Sequence, residues 1–328
     1  MNVVAIGGGT GLSTVLRGLK HHVAEPTRPA QLRPEINRLT AIVTVTDEGG
    51  SSGRLRRDLR ILPPGDIRNC LVALAEDEQL LTQLFNYRFS GGRGLRGHSL
   101  GNLFLAALTH LTHDFAKAVR LSSEVLATRG EIFPATLSDV HLKATRTDGV
   151  VIHGERSITK TRVPIERLQI VPRRCRPLPE ALEAIRQADL STLGPGSLYT
   201  SLVPNLLVQG ISQAIARSRA VKVLVGNLMT QPGESRGYSA ADHVRALNQH
   251  TRQILFDHMV LNTRPLSAAL LKRYAVEHAA PVELDLDAVR KLGVKPLCAD
   301  LLLEDHVARH DSRRLARVLL SLAKPQTC

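Results

Sequence analysis

The sequence predicts an α/β fold with a Rossmann-like, three-layer, doubly wound and mostly parallel sheet and a small β-rich excursion. Short apolar runs of strand type alternate with helical segments along the 328-residue chain. This alternation favours a parallel sheet covered by helices on both faces. Glycine-containing turns recur before the predicted helices, at residues 7–11, 49–53, 97–101, 194–197 and 226–233. We therefore expect one domain over residues 1–328, with a β-rich insertion at about 130–172.

The first glycine turn follows an apolar run at residues 2–6 and precedes a helix with an apolar face. Glycine lets the backbone approach a ligand closely, and the free N–H groups and dipole of a helix N-terminus favour phosphate. The turn is neither the dinucleotide fingerprint, because Leu12 takes the last glycine position, nor a Walker loop. A phosphate site at Gly9, Thr10 and Gly11 and a plain strand–helix corner both fit this pattern.

Composition gives a formal net charge of +13 and a pI near 10.2. Arginine clusters at residues 54–60, 173–176 and 313–317 could serve nucleic-acid binding. Aromatic residues make up only 3% of the chain, without tryptophan, so few side chains could stack on bases. We therefore expect a basic surface that binds small anionic ligands, and not a nucleic-acid partner.

The sequence also indicates the cellular compartment of the protein. No apolar run approaches the roughly 18 residues of a membrane span, and no export signal precedes the first strand. Cys70, Cys175, Cys298 and Cys328 lie far apart without a CxxC pair, which indicates reduced thiols and no zinc site. The sequence thus predicts a cytoplasmic protein.

Charged and amide side chains accompany the next turns. Asp47 and Glu48 follow a predicted strand at residues 39–45 and could hold a metal, bond a ribose or cap the loop. Asp66 is a predicted helix N-cap. Arg68 and Asn69, in the first turn of that helix, either reach a bound anion or lie on the helix surface.

Residues 97–101 match the G-x-S-x-G nucleophile elbow around Ser99. That elbow needs an apolar strand directly before it, and the preceding residues are rich in glycine and arginine. We therefore expect a glycine loop that opens a helix at 103–111, and not a serine hydrolase.

Further along, alternating segments at 140–147 and 150–158 flank Asp148-Gly149, which is a hairpin signal. The turn containing Gly196 and Ser197 places Ser197 to cap a helix or touch a phosphate, although Ser191-Thr192 makes the strand before it unusually polar. Asn227 stands in the turn after the predicted strand at 221–225. Residues 23–38 are expected to form an exposed loop.

Taken together, these loops resemble the gluconeogenesis factor family, within the 2-phospho-L-lactate transferase-like superfamily. The matching blocks run in order along nearly the whole chain: GGGTGLS at 7–13, GGSSGRLR at 49–56, LPPGDIRNCLVALA at 62–75, GHSLGNLFLAAL at 97–108, GPGSLYTSLVPNLLV at 194–208 and NLMTQPGE at 227–234.

The resemblance implies a Rossmann-like nucleotide-binding core. It also implies a cytoplasmic binder of a UDP-sugar such as UDP-N-acetylglucosamine, linked to cell shape and cell-wall precursor metabolism on gluconeogenic carbon. Tyr274 and Arg309 fall where the family contacts the nucleotide sugar. The alternative is a metal-assisted transferase of the 2-phospho-L-lactate transferase type, with Asp47 as a metal ligand.

The sequence offers no positioned general base, so we expect a binding protein and not an enzyme. Cell-wall enzymes and a homo-oligomer stay open as partners. Mg²⁺ is the implied cofactor of the transferase alternative. Glu48 stands where the family more often has a second aspartate, and its longer side chain would change the geometry of a metal site.

Overall fold

The computed structural model describes residues 1–24, 35–76 and 80–323. The strands are β1 (Asn2–Gly7), β2 (Arg38–Val43), β3 (Glu131–Pro134), β4 (His141–Arg146), β5 (Val151–His153), β6 (Ile165–Val171), β7 (Leu190–Leu193), β8 (Val221–Val225), β9 (His258–Asn262), β10 (Lys295–Ala299), β11 (Leu302–Glu304) and β12 (Ala308–His310).

The helices are α1 (Gly9–Leu19), α2 (Gly50–Leu59), α3 (Gly65–Leu74), α4 (Leu80–Asn86), α5 (Leu100–Thr112), α6 (Phe115–Val125), α7 (Glu155–Lys160), α8 (Pro179–Gln187), α9 (Val203–Leu207), α10 (Ile211–Arg217), α11 (Ala240–Thr251), α12 (Ala268–Val276), α13 (Leu286–Lys291) and α14 (Ser312–Ala323). A single π-helical turn, Leu198–Leu202, precedes α9. No helix in the described ranges has the length and apolar character that crossing a membrane requires.

The main sheet has seven strands in the order β10-β9-β8-β7-β1-β2-β3, and every neighbouring pair is parallel. The predicted α/β class is confirmed, and the main sheet is fully parallel. Val3, Val4, Ala5 and Ile6 of β1 are all buried, as expected for a central strand covered on both faces. The chain builds outward from β1 to β3 and then restarts at β7, so the switch point of the sheet lies between β1 and β7.

Two groups of helices flank this sheet. Helix α1 packs against α3 and α14, whereas α8 packs against α10. The apolar face predicted for α1 is buried, with Leu12, Val15, Leu16 and Leu19 inaccessible to solvent. Burial of this stripe fixes α1 at the carboxyl end of β1, where its N-terminus is exposed.

A second sheet of three antiparallel strands, in the order β5-β4-β6, lies within the predicted β-rich segment. The hairpin at Asp148-Gly149 is confirmed. The strand expected to continue to residue 158 ends at His153, because Gly154, at a φ of 80°, redirects the chain into α7. Residues Glu131–Pro134 instead pair with β2 at the edge of the main sheet.

Two local predictions change in the structure, and a third, the polar strand before Gly194, is confirmed. Helix α3 begins at Gly65 with Pro64 as its N-cap, so Asp66 is in the first turn and is not the cap. Ser191 and Thr192 are buried in the regular strand β7 despite their polarity. Most of the loop predicted at 23–38 lies outside the described residues, and Ile36, which is described, is buried and not exposed.

Candidate functional site

A cleft of about 820 Å³ opens at the carboxyl edge of the main sheet, beside the switch point. Ligands of open α/β sheets bind at this position. All of the predicted ligand-binding residues line the cleft: Gly9, Thr10, Gly11, Asp47, Asn69, Gly196, Ser197, Asn227, Tyr274 and Arg309. Contact between these residues and a ligand stays a prediction.

Three of the five predicted glycine turns form walls of the cleft, those at 7–11, 194–197 and 226–233. The turn at 49–53 contributes only through the preceding Asp47, and the turn at 97–101 does not line the cleft. The convergence expected from the sequence therefore holds for three turns, which follow β1, β7 and β8, three adjacent strands of the main sheet.

The first and fourth glycine turns touch. A Cβ placed on Gly11 would lie 2.0 Å from the Pro195 carbonyl oxygen, so only glycine allows this approach. Asn227 then fixes the fourth turn: the Gly196 N–H donates to Asn227 Oδ1 at 3.0 Å, and Asn227 Nδ2 donates to the Gly196 carbonyl oxygen at 2.8 Å. Asn227 thus positions the Gly196 backbone at the cleft wall.

Free backbone donors remain at the first turn. The Gly9 N–H donates to the Asp66 carboxyl group. Within the described part of the chain, no hydrogen bond joins the N–H group of Thr10 or Gly11 to an acceptor. These two N–H groups belong to the exposed N-terminus of α1, so they can donate hydrogen bonds to a phosphate group.

The turn at 194–197 offers fewer free backbone N–H donors for a phosphate than its glycines predict. Glu234 accepts hydrogen bonds from the N–H groups of Tyr199 (2.8 Å) and Thr200 (3.1 Å), at the start of the π-helical turn. The Ser197 hydroxyl accepts from Gln231 Nε2 at 2.8 Å and does not cap the turn. A carboxylate from the chain itself therefore occupies the position that a phosphate could otherwise take.

Asp66 and Glu155 are half-buried carboxyl groups on the cleft wall, and both have raised pKa values. Burial, and next the negative charge of Asp47, raise the pKa of Asp66 to about 7. The same two causes raise the pKa of Glu155 to about 8. Near pH 7, Asp66 is therefore about half protonated and Glu155 mostly protonated, which lowers the negative charge that an anionic ligand meets.

The two metal candidates from the sequence lie in different environments. Asp47 lines the cleft, and its Oδ1 accepts the Gly49 N–H at 2.7 Å. Glu48 does not line the cleft; its carboxylate accepts the Glu155 N–H at 3.1 Å and pairs with His141 at 3.3 Å. Among the described residues, no group of three or more His, Cys, Asp or Glu side chains could hold a metal ion. These residues do not fit a cage made by the protein alone.

Tyr274 and Arg309 come together at the far end of the cleft. Tyr274 lies on α12 and is half-buried, and its hydroxyl accepts the Ala308 N–H at 3.0 Å. Arg309 is exposed on β12, and His310 after it is buried, which lowers the pKa of His310 to about 4. The Tyr274 hydroxyl thus ties α12 to the strand that carries Arg309.

Asn69 and Arg68 differ in their access to the cleft. Asn69 lines it, whereas Arg68 is buried and donates from Nη2 to Asn69 Oδ1. Arg68 therefore lies neither on the helix surface nor on the cleft wall, and its guanidinium orients the Asn69 amide.

The sequence missed the part of the cleft that α7 supplies. Glu155 and Thr159 line it, and a Cβ on Gly233 would lie 1.9 Å from the Thr159 carbonyl oxygen. Glu155 and Glu48 also exchange hydrogen bonds, with Glu155 Oε2 accepting the Glu48 N–H at 2.7 Å. No local pattern marks Glu155, since its partners are distant in sequence. The only sequence signal for this contact is Gly233, in the matching block at 227–234, because its backbone lies against α7.

Ser99 is not a nucleophile. Its side chain is 0% exposed, and Oγ accepts the Asn102 N–H at 3.3 Å as the N-cap of α5. The G-x-S-x-G match at 97–101 is therefore a helix-capping sequence.

Comparisons with known proteins match this fold and these blocks. The family model described as "2-phospho-L-lactate transferase CofD" matches residues 3–302. A relative from Halalkalibacterium halodurans named "Gluconeogenesis factor" is 47% identical, covering 99% of this chain and 97% of the relative. One from Bacillus subtilis with the same name is 45% identical, covering 98% of both chains.

A crystal structure of a UPF0052 family member from Bacillus halodurans is similar over 97% of this chain and 98% of that chain. Its TM-score is 0.90 at 47% identity. Nearly full-length matches in both sequence and structure leave one conclusion: the chain belongs to the 2-phospho-L-lactate transferase CofD family, among whose members it resembles those named gluconeogenesis factor.

Proposed function

We propose that this protein is a cytoplasmic binding and regulatory protein that takes a UDP-sugar, such as UDP-N-acetylglucosamine, into the cleft beside the switch point. The ligand state would then be relayed to partners in cell-wall precursor metabolism and cell shape during growth on gluconeogenic carbon. The observation that carries the proposal is the shared cleft: Tyr274 and Arg309 line it together with the free N–H groups of Thr10 and Gly11.

Each part of a UDP-sugar has a matching group in this cleft. The N–H groups of Thr10 and Gly11 suit a diphosphate oxygen at a helix N-terminus. Arg309 suits a second phosphate oxygen through charge-assisted hydrogen bonds. The Tyr274 ring suits stacking on uracil. The cleft volume, about 820 Å³, falls within the range typical of small-molecule sites.

Isothermal titration calorimetry with UDP-N-acetylglucosamine tests the proposal. We expect saturable binding that weakens by about 10- to 100-fold in Arg309→Ala, the loss of a hydrogen bond to a charged group. Arg219→Ala is the matched control, because Arg219 is exposed and does not line the cleft. No heat at high micromolar ligand, or equal affinity in Arg309→Ala and wild type, would refute UDP-sugar binding here.

The transferase alternative is favoured by the family model and by Asp47 on the cleft wall. A Mg²⁺ ion would take Asp47 together with phosphate oxygens of a substrate, since Mg²⁺ commonly uses one or two carboxylates plus phosphates. This alternative predicts Mg²⁺-dependent turnover of a nucleotide substrate that is lost in Asp47→Asn. Turnover that persists in Asp47→Asn, or no product from wild type with Mg²⁺, would remove it.

A further inference from the structure

A second groove lies between β6 of the three-stranded sheet and the C-terminal end of α11. Its volume is about 650 Å³, and none of its lining residues belongs to the cleft described above. Charged and polar side chains line it on both sides, and leucine and isoleucine side chains lie between them. Its size is that of small-molecule sites, which commonly span about 300–1,000 Å³.

The charge of this groove is strongly one-sided. Arg167, Arg173 and Arg252 line it and are exposed, against one carboxylate, Glu166. In the described part of the chain, none of these arginines forms an ion pair. Their guanidinium groups therefore remain available to a ligand.

His250 forms a rigid, uncharged part of the wall. Its Nδ1 donates to the Ala246 carbonyl oxygen at 2.7 Å, and its Nε2 accepts the Leu168 N–H at 2.8 Å. Burial, and further the charge of Arg167, lower the pKa of His250. Both ring nitrogens are thus used within the protein, and the ring fixes β6 against α11.

The C-terminal end of α11 opposes an anion, because a helix dipole places about half a negative charge there. Three guanidinium groups against one carboxylate leave a formal excess of two positive charges, which outweighs that half charge. Guanidinium groups also bind carboxylate and phosphate oxygens in pairs. Apolar side chains, those of Leu168, Ile170 and Leu207, supply a dry floor beside them.

From this arrangement we infer that the groove between β6 and α11 is a second binding site, for a small anion that carries at least two phosphate or carboxylate groups. The ligand bridges Arg167 and Arg173, at one wall, to Arg252 at the other. It binds independently of the cleft that carries Arg309.

Calorimetry with inorganic pyrophosphate and, separately, citrate tests this inference and distinguishes phosphate from carboxylate ligands. The variants are Arg167→Gln/Arg252→Gln in the groove and Arg217→Gln/Arg219→Gln as a control with the same loss of charge outside it. Arg309→Gln reports on the other cleft. All five side chains are exposed, so each variant should fold, and circular dichroism checks this.

We expect at least one of the two anions to bind wild type with saturation below about 1 mM and to bind the groove variant at least about tenfold more weakly. The control and Arg309→Gln should retain that binding. Equal weakening in the groove and control variants would mean attraction to net charge alone and overturn the inference. Loss only in Arg309→Gln, or absence of saturation with both anions, would also overturn it.

Discussion

The contact between the first and fourth glycine turns gives a sharp prediction for Gly11→Ala. The new Cβ would lie 2.0 Å from the Pro195 carbonyl oxygen and 2.7 Å from its carbon. Ordinary contact begins near 3.4 Å, so the turns must separate by about 1.4 Å. Both neighbouring atoms belong to the backbone, so no side-chain rotation relieves the overlap.

The sign of the stability change distinguishes the clash with Pro195 from the effect of helix propensity at position 11. Gly11 lies in α1, and helix propensity alone favours alanine over glycine by up to about 1 kcal/mol. Overpacking against Pro195 typically costs about 1–3 kcal/mol. We therefore expect Gly11→Ala to lower the free energy of unfolding and to weaken UDP-N-acetylglucosamine binding, because the Thr10 and Gly11 N–H groups move with the turn.

Urea unfolding followed by circular dichroism measures the stability change, and calorimetry measures the affinity. Gly91→Ala is the control, since a Cβ on Gly91 meets nothing within 4 Å and its φ is outside the left-handed region. A Gly11→Ala protein as stable as wild type, or more stable, would show that the two turns do not touch as described.

Two further predictions follow from the site. As pH rises from about 6.5 to 8.5, Asp66 and Glu155 ionise. Affinity for a UDP-sugar, measured by calorimetry, should therefore fall roughly tenfold through repulsion of the diphosphate. The double variant Asp66→Asn/Glu155→Gln should abolish this fall, and a flat wild-type profile would contradict the raised pKa values. The folded state holds the extra protons, so stability should also decrease as pH rises from about 4 to 8. Ser99→Ala should destabilise the protein by about 1 kcal/mol in urea unfolding, because it removes the N-cap of α5, and it should leave ligand affinity unchanged. Ser90→Ala, at an exposed serine, is the control. Loss of ligand affinity in Ser99→Ala would contradict a purely capping role.

Much of the fold could be predicted because its signals are local. The apolar run of β1, the following glycine turn and the apolar face of α1 lie within the first 19 residues. The same reasoning found the hairpin at Asp148-Gly149. It failed at residues 155–160, where one glycine with a positive φ ended the strand and tertiary contacts with Gly233 held a short helix.

The cleft shows a similar division. The turns that follow parallel strands were predicted to lie at one edge of the sheet, and the ligand-binding residues predicted in them line one cleft. Glu48 was a metal candidate by its position next to Asp47, yet it bonds to the backbone of Glu155 outside the cleft. Neighbouring residues in sequence thus face different surroundings, and no spacing rule distinguishes them.

By itself, the sequence determined the general alternation of strands and helices and the positions of the glycine turns, because backbone preference and hydrophobic periodicity act over a few residues. Only the tertiary structure decided which turns meet, that α7 supplies Glu155 to the cleft, and that the pKa values of Asp66 and Glu155 are raised. These properties depend on burial and charge contributed by residues far apart in the chain, which exist as neighbours only after folding.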